Sequence, residues 1–192
     1  MKKSEQTRIR LIESASNGFR RAGYAGVGVD SIAKEAGVTS GAFYAHMGSK
    51  DGAFRAALCS SLDQVLVTLP KFREEHGDDW PIAFADYYLG TEHRMDTENG
   101  CAMAGLSPDV VRAGDDVKQE YAALMRRIAL EVAKGIPGDG QQTEKLDKAW
   151  AFLSTLIGAL TIARAAGSDA VVSRICAAGK SAALAILESR SQ

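Results

Sequence analysis

The chain has 192 residues, 46% hydrophobic and 24% charged, which excludes a disordered segment and fits one large or two small globular domains. The net charge is −1, so no strongly basic or acidic balance names a partner. Through Arg55, however, nine basic residues stand against five acidic ones (+4), and the rest of the chain carries fourteen against nineteen (−5). A basic head on an acidic body suits binding of a polyanion by the head alone.

No run asks for a strand, and the expected fold class is all-α. Leu11, Ile12, Ala15, Phe19 and Ala22 recur at helical spacing, which predicts a first helix over 4–22 ended by Gly23. A short helix over 30–36, a Gly37-Val38-Thr39 turn and a second short helix over 40–46 follow. Ser49 is placed to cap a long fourth helix with Phe54, Leu58, Leu62, Val65 and Leu69 on one face, bent or loosened at Pro70. After His76-Gly77-Asp78-Asp79, Asp79 is placed to cap a fifth helix with Pro81 in its first turn. Residues 94–102 read as a loop. Ser107-Pro108-Asp109 reads as the start of a helix running to about Lys134. Thr143 and Ser168 are placed to cap the last two helices, which stop at Gly167 and near Ser189. Pro70 is also a candidate pivot within the fourth helix.

The N-terminal MKKSEQTRIR lacks the apolar core of a signal peptide. The longest apolar stretch, Ala149–Ala163, is too short to span a membrane. Cys59, Cys101 and Cys176 have neither paired nor metal spacing, as expected of a reducing cytoplasm. No nucleophile, metal set or pair of acids converges, and His46, His76 and His93 are scattered, so neither enzyme activity nor a cofactor is expected.

The two short helices and their turn have the layout of a helix-turn-helix, whose second helix enters a DNA major groove. Gly37 supplies the unusual backbone of the turn. Thr39 is placed to cap the second helix. Ile32, Ala33, Ala36 and Phe43 are the apolar members that lock the pair. A groove-reading helix must begin with small or polar residues, and Thr39, Ser40, Gly41 and Ala42 meet that need. Tyr44 and His46 lie further along, within reach of phosphates. Lys50 places a charge at the start of the fourth helix.

The residues of this stretch also carry a resemblance. Gly23-Tyr24, Val29-Asp30-Ser31-Ile32-Ala33, Ala36-Gly37-Val38-Thr39, Gly41-Ala42-Phe43-Tyr44, His46 and Ser49-Lys50 ahead of Phe54 resemble the N-terminal signature of the TetR/AcrR transcriptional regulators. The resemblance covers roughly residues 5–58 at fixed spacing. It implies an N-terminal three-helix DNA-binding domain with a helix-turn-helix over 1–48. Over 49–192 it implies a helical ligand-binding and dimerisation domain, with about nine helices in all. It implies Thr39, Ser40, Ala42, Tyr44, His46 and Lys50 as DNA contacts, with Gly41 allowing close backbone approach. Three departures stand out. Val27 and Gly28 occupy positions where the family has Ser or Thr to cap the second helix and touch phosphate. Ser40 stands where Lys is frequent, and Met47 where Phe is. The first two remove phosphate contacts, so a shallow salt dependence of DNA binding is expected.

In the body, Trp150, Leu153, Ile157 and Leu160 line one face of the penultimate helix, while Phe152, Leu156, Ala159 and Ala163 line another. A helix apolar on two faces is buried from two sides. The last helix carries Val172, Ile175, Gly179, Ala183 and Ile186 on one stripe. Small residues along both helices permit close approach. The expectation is a four-helix dimer interface that places two recognition helices on palindromic double-stranded DNA, half-sites roughly one turn apart. The fifth helix is aromatic along one face through Trp80, Phe84, Tyr87 and Tyr88. With His93, Met95, Cys101, Met103, Tyr121 and Met125, that face fits either ordinary core or the lining of a pocket for a medium-sized, mostly apolar ligand. Cys101 sits at a loop-to-helix junction, where a thiol gains reactivity. The resulting expectation is a cytoplasmic, ligand-responsive, homodimeric transcriptional repressor with no membrane partner. The alternatives are a repressor switched by oxidation or electrophiles at Cys101, and a helical interaction module with weakened DNA binding.

Overall fold

The computed structural model describes residues 3–138 and 140–188, and among them there is no strand. The described residues form α1 (Lys3–Gly26), α2 (Val29–Glu35), α3 (Ser40–Met47), α4 (Lys50–His76), α5 (Trp80–Leu89), α6 (Thr91–Met95), α7 (Ala102–Arg112), α8 (Asp115–Lys134), α9 (Gln142–Ala165) and α10 (Asp169–Glu188), with a 3-10 turn over Gly77–Asp79. Most of the expected helices are present, and a five-residue α6 follows α5 after Gly90, overlapping the expected loop 94–102 only at Arg94 and Met95. The expected end of α10 near Ser189 lies outside the described residues. The chain divides into two compact units, one of residues through Asp63 with Thr97–Ala122, the other of Gln64–Asp96 with the residues from Ala123 onward. These packing units do not coincide with a division at 48/49.

In the first unit, Gly23 interrupts α1 with φ +71°, as its position after Ala22 predicts. Leu11, Ala15 and Phe19 of α1 are fully buried with Ile32, Phe43, Leu58 and Leu62. Phe19 stacks on Tyr24 at 5.8 Å, and Phe54 meets Phe19 edge-on at 5.4 Å. α7 packs on α1 in this unit. The Tyr24 backbone N–H donates to Asp109 Oδ2 at 2.9 Å, Arg20 donates to the Gly100 carbonyl at 3.3 Å, and Arg21 pairs with Glu98 at 3.0 Å.

The helix expected from Ser107 to Lys134 is two helices. α7 begins earlier, at Ala102, and carries Pro108 in its interior, while Ala113-Gly114 separates it from α8. The Ser107 hydroxyl donates back to the Met103 carbonyl instead of capping an N-terminus. Ser49 does cap, accepting from the Gly52 N–H at 3.0 Å. Asp79 precedes α5 but makes no side-chain cap bond, and Thr143 falls one residue inside α9, which starts at Gln142. α4 continues through Pro70 to His76 without a break.

The second unit centres on α9, whose Phe152, Leu156 and Leu160 are fully buried. Trp80 and Phe84 of α5 meet Phe152 at 6.0 and 6.2 Å between ring centroids, and the Trp80 indole N–H donates to the Gly135 carbonyl at 2.9 Å. α10 lies along α9 so closely that a Cβ on Gly179 would stand 2.5 Å from the Ala159 Cβ. Arg164 of α9 donates to the carbonyls of His93, Arg94 and Asp96 at 2.9, 3.0 and 3.2 Å. It thereby satisfies the C-terminal carbonyls that a helix as short as α6 cannot satisfy internally. By length and composition α9 and α10 are each long and apolar enough to cross a membrane; α9 extends beyond the apolar run 149–163, and α10 is a second such helix. α9 spends much of that apolar surface inside its own unit; α10 leaves most of it exposed.

Candidate nucleic-acid interface

α2 and α3 are joined by a turn whose geometry follows from two residues. Gly37 adopts φ +68°, a conformation that a side chain would strain. Thr39 then returns to extended backbone and caps α3, its Oγ1 accepting from the Ala42 N–H at 3.2 Å. Phe43 and Met47 face inward and are buried, whereas Tyr44, whose ring meets that of Phe43 edge-on at 5.5 Å, is 53% exposed. Thr39, Gly41 and Tyr44 are exposed, and Ser40, Ala42, His46 and Lys50 half-buried. One surface of the head therefore displays the small first turn of α3, with an aromatic hydroxyl and an imidazole further along.

α2 starts differently. Its N-cap is Gly28, in extended backbone and with no side-chain cap bond. Val27 is buried in the unit's core, where a Cβ on Gly18 would lie 3.2 Å from the Val27 side chain. Val27 thus contributes packing one residue ahead of the cap position, and Gly28 at that position has no side chain to cap with. Asp30, in the first turn of α2, accepts from the Ser40 hydroxyl at 2.6 Å.

At the start of α4, the Lys50 ammonium lies over the Tyr24 ring. The Tyr24 hydroxyl donates to Asp51, and that bond, with burial second, pushes the phenol up to about 12. Arg55, one turn on, is held by Glu120 through two bonds of 2.6 Å. The same carboxylate lies 3.4 Å from the Cys59 sulfur; burial first and Glu120 next push that thiol up to about 11. A cleft of about 750 Å³ opens in this unit, lined by Tyr24, Asp51, Phe54, Asp109 and Asp116 among others. Its walls are far apart in sequence and left no local signal.

The residues proposed from sequence as a pocket fall on both units. Cys101, Met103 and Tyr121 lie in the first; Trp80, Phe84, Tyr87, Tyr88, His93, Met95 and Met125 lie in the second. Cys101 is the N-cap of α7 and is buried. Tyr121 bonds Ser107 at 2.6 Å, with burial raising its phenol. In the second unit Trp80, Phe84 and Tyr88 are buried against one another, whereas Tyr87 and Met95 are exposed. His93 lies 5.0 and 4.9 Å from the rings of Tyr87 and Tyr88. Its Nδ1 is 2.7 Å from the Tyr88 carbonyl, and burial lowers the imidazole below its ordinary range.

Of the residues expected at a dimer interface, Leu153, Leu160, Val172 and Ala183 are buried within the chain itself. They belong to the packing of α9 with its own neighbours. Trp150, Ile157, Ile175, Gly179 and Ile186 are half-buried. Ile162 and Val171, which helical periodicity did not single out, are 59% and 48% exposed.

The Thr39-capped helix on a tight glycine turn gives α2 and α3 the form of a helix-turn-helix. Residues 11–57 match the family model described as bacterial regulatory proteins, tetR family. Solved structures agree over nearly the whole chain. SCO4454, a TetR-family transcriptional regulator from Streptomyces coelicolor, is 20% identical, with 96% of this chain and 95% of that one aligned and a TM-score of 0.76. A TetR-family regulator from Cytophaga hutchinsonii is 17% identical, with 99% of each chain aligned and a TM-score of 0.77. The reduced form of E. coli NemR is 20% identical, with 91% of this chain and 95% of that one aligned and a TM-score of 0.72. No curated protein matches by sequence. Residues 11–57 thus resemble the tetR-family model, and the chain has the fold of the TetR-family transcriptional regulators.

Proposed function

We propose that the protein is a homodimeric transcriptional repressor of its own or neighbouring genes, released from palindromic DNA by a small, mostly apolar ligand. The observation that carries this is the first turn of α3. It is capped by Thr39 and built of Ser40, Gly41 and Ala42, with Thr39 and Gly41 exposed, so nothing bulky holds the helix out of a groove. Thr39, Ser40, Ala42, Tyr44, His46 and Lys50 are the proposed contacts, with Gly41 admitting close approach. Dimerisation through α9 and α10 is supported by the apolar surface that α10 leaves uncovered and by the exposure of Ile162 and Val171. The proposed ligand enters the aromatic cluster around Trp80, Phe84 and Tyr88, which is closely packed and must open to admit it. Ligand and DNA then favour different spacings of the two heads, a two-state coupling. The proposed site of action is the cytoplasm.

The test is binding of the reduced protein to DNA upstream of its own gene, followed by anisotropy across a salt series with non-specific competitor. Tight, competitor-resistant binding supports the proposal. Weak binding to that DNA and to every sequence selected from a random pool overturns it. Because Gly28 and Val27 offer α2 no hydroxyl, the salt slope should be shallow; a slope comparable to ten phosphate contacts would contradict that part.

A further inference from the structure

The Ser40 hydroxyl donates its proton to Asp30 Oδ1 at 2.6 Å. Asp30 stands in the first turn of α2 and Ser40 is the first residue of α3, so the bond joins the two arms of the helix-turn-helix at its surface. A carboxylate offers only lone pairs, and a hydroxyl has a single proton to give. With that proton committed to Asp30, the Ser40 oxygen can only accept. The pair is therefore acceptor-only toward anything that approaches it. Such a pair opposes a phosphate oxygen, which also only accepts, and fits a donor on a base edge. In the major groove the donors are the exocyclic amines, N6 of adenine and N4 of cytosine; guanine O6 and N7 and thymine O4 are acceptors.

We propose that Asp30 fixes Ser40 as a hydrogen-bond acceptor, and that the pair selects adenine or cytosine at one position of each half-site. Ser40 touches the base and Asp30 is a positioning residue. Space supports the assignment. Neighbouring Gly41 is exposed, and a Cβ there would approach only the Thr39 Oγ1, at 3.8 Å, so the backbone beside Ser40 is open to a base edge. The inference rests on the reading that α3 enters the major groove.

The experiment is selection from random duplexes with the wild-type dimer, Ser40→Ala and Asp30→Ala, followed by affinities for the four base pairs at the position that Ser40→Ala relaxes. The wild type should prefer adenine or cytosine there by about fivefold, the worth of one hydrogen bond. Ser40→Ala should abolish that preference and leave the other positions unchanged. Asp30→Ala frees the hydroxyl to turn and donate, so guanine and thymine should become tolerated. A preference for guanine or thymine at that position, or Ser40→Ala and Asp30→Ala motifs identical to the wild type's, overturns the inference alone. Relaxation by Ser40→Ala but not by Asp30→Ala overturns the positioning role of Asp30. No enriched motif for any of the three overturns the regulator reading and this inference with it. Ser40→Ala leaves the Thr39 cap of α3 intact, so the result stands even if Asp30→Ala fails to fold.

Discussion

The Lys50 ammonium lies 4.4 Å from the centroid of the Tyr24 ring, and the hydroxyl of that ring donates to Asp51 at 2.5 Å. The ring is stacked on Phe19 at 5.8 Å and meets Phe54 edge-on at 5.4 Å. A cation placed over an aromatic face gains about 0.5–1 kcal/mol when exposed, so this arrangement restrains the lysine at the start of α4. The hydrogen bond to Asp51 favours the protonated phenol, which is why the Tyr24 hydroxyl is raised to about 12. The folded state thus holds this proton more tightly than the unfolded chain does. The contribution is fully present below the unfolded value near 10 and is lost as pH rises through about 12. The tyrosinate absorbance that disappears in Tyr24→Phe should titrate near 12 in the wild type. In Asp51→Asn it should titrate nearer the ordinary value. An unchanged titration in Asp51→Asn would mean that burial, not the bond, sets it.

Thr39→Ala removes the acceptor for the Ala42 N–H. The loss of an N-cap should lower stability by about 1 kcal/mol in urea denaturation, and, on the proposed function, DNA affinity should fall with it because the turn proposed to read the groove is the one that frays. Thr39→Ser keeps the oxygen and should stay close to wild type in both. Equal stability of Thr39→Ala and wild type would show that α3 is held by Phe43 and Met47 alone.

Gly179 and Gly158 should respond oppositely to alanine. A methyl on Gly179 would overlap the Ala159 Cβ at 2.5 Å, whereas a methyl on Gly158 meets nothing within 4 Å. Overpacking between two rigid helices costs about 1–3 kcal/mol, so Gly179→Ala should lower the melting temperature. Gly158→Ala should keep or raise it, because alanine stabilises a helix interior relative to glycine. If Gly158→Ala instead weakens self-association in sedimentation, that face of α9 meets the partner.

Cys59 should be slow to alkylate at pH 8. Its thiol is raised to about 11 by burial and by Glu120, and only the thiolate reacts. Labelling should accelerate as pH approaches that value. Glu120→Gln should accelerate it at pH 8, because the carboxylate that raises the thiol is gone. Peptide mapping after timed iodoacetamide exposure reads this residue by residue. A rate equal to that of an unperturbed thiol would contradict the Cys59–Glu120 contact.

The head was legible because its determinants are local. Gly37 makes its turn within its own residue, Thr39 reaches a backbone amide only a few positions along, and Phe43 and Met47 face inward by helical spacing alone. The resemblance to TetR/AcrR regulators rests on the same stretch. The caps read at Asp79 and Thr143 failed for a complementary reason: a residue type permits a cap, but the path of the incoming chain decides whether the side chain reaches the amide. Ser107-Pro108-Asp109 permits a helix start on the same grounds, yet Pro108 lies inside α7.

The sequence by itself determined which residues are apolar, that they form helices and not strands, and which residue types stand in the first turn of α3. Tertiary structure alone decided what covers each apolar face. Periodicity marks Leu153, Leu160, Val172 and Ala183 as buried but cannot say whether a partner or the chain itself buries them; they are covered by the chain itself. It also decided that Val27 fills core beside Gly18. The Asp109 carboxylate, 85 positions along the chain, receives the Tyr24 amide. Burial and hydrogen bonding are satisfied by whatever neighbour folding brings near, and distance along the chain carries no record of that choice.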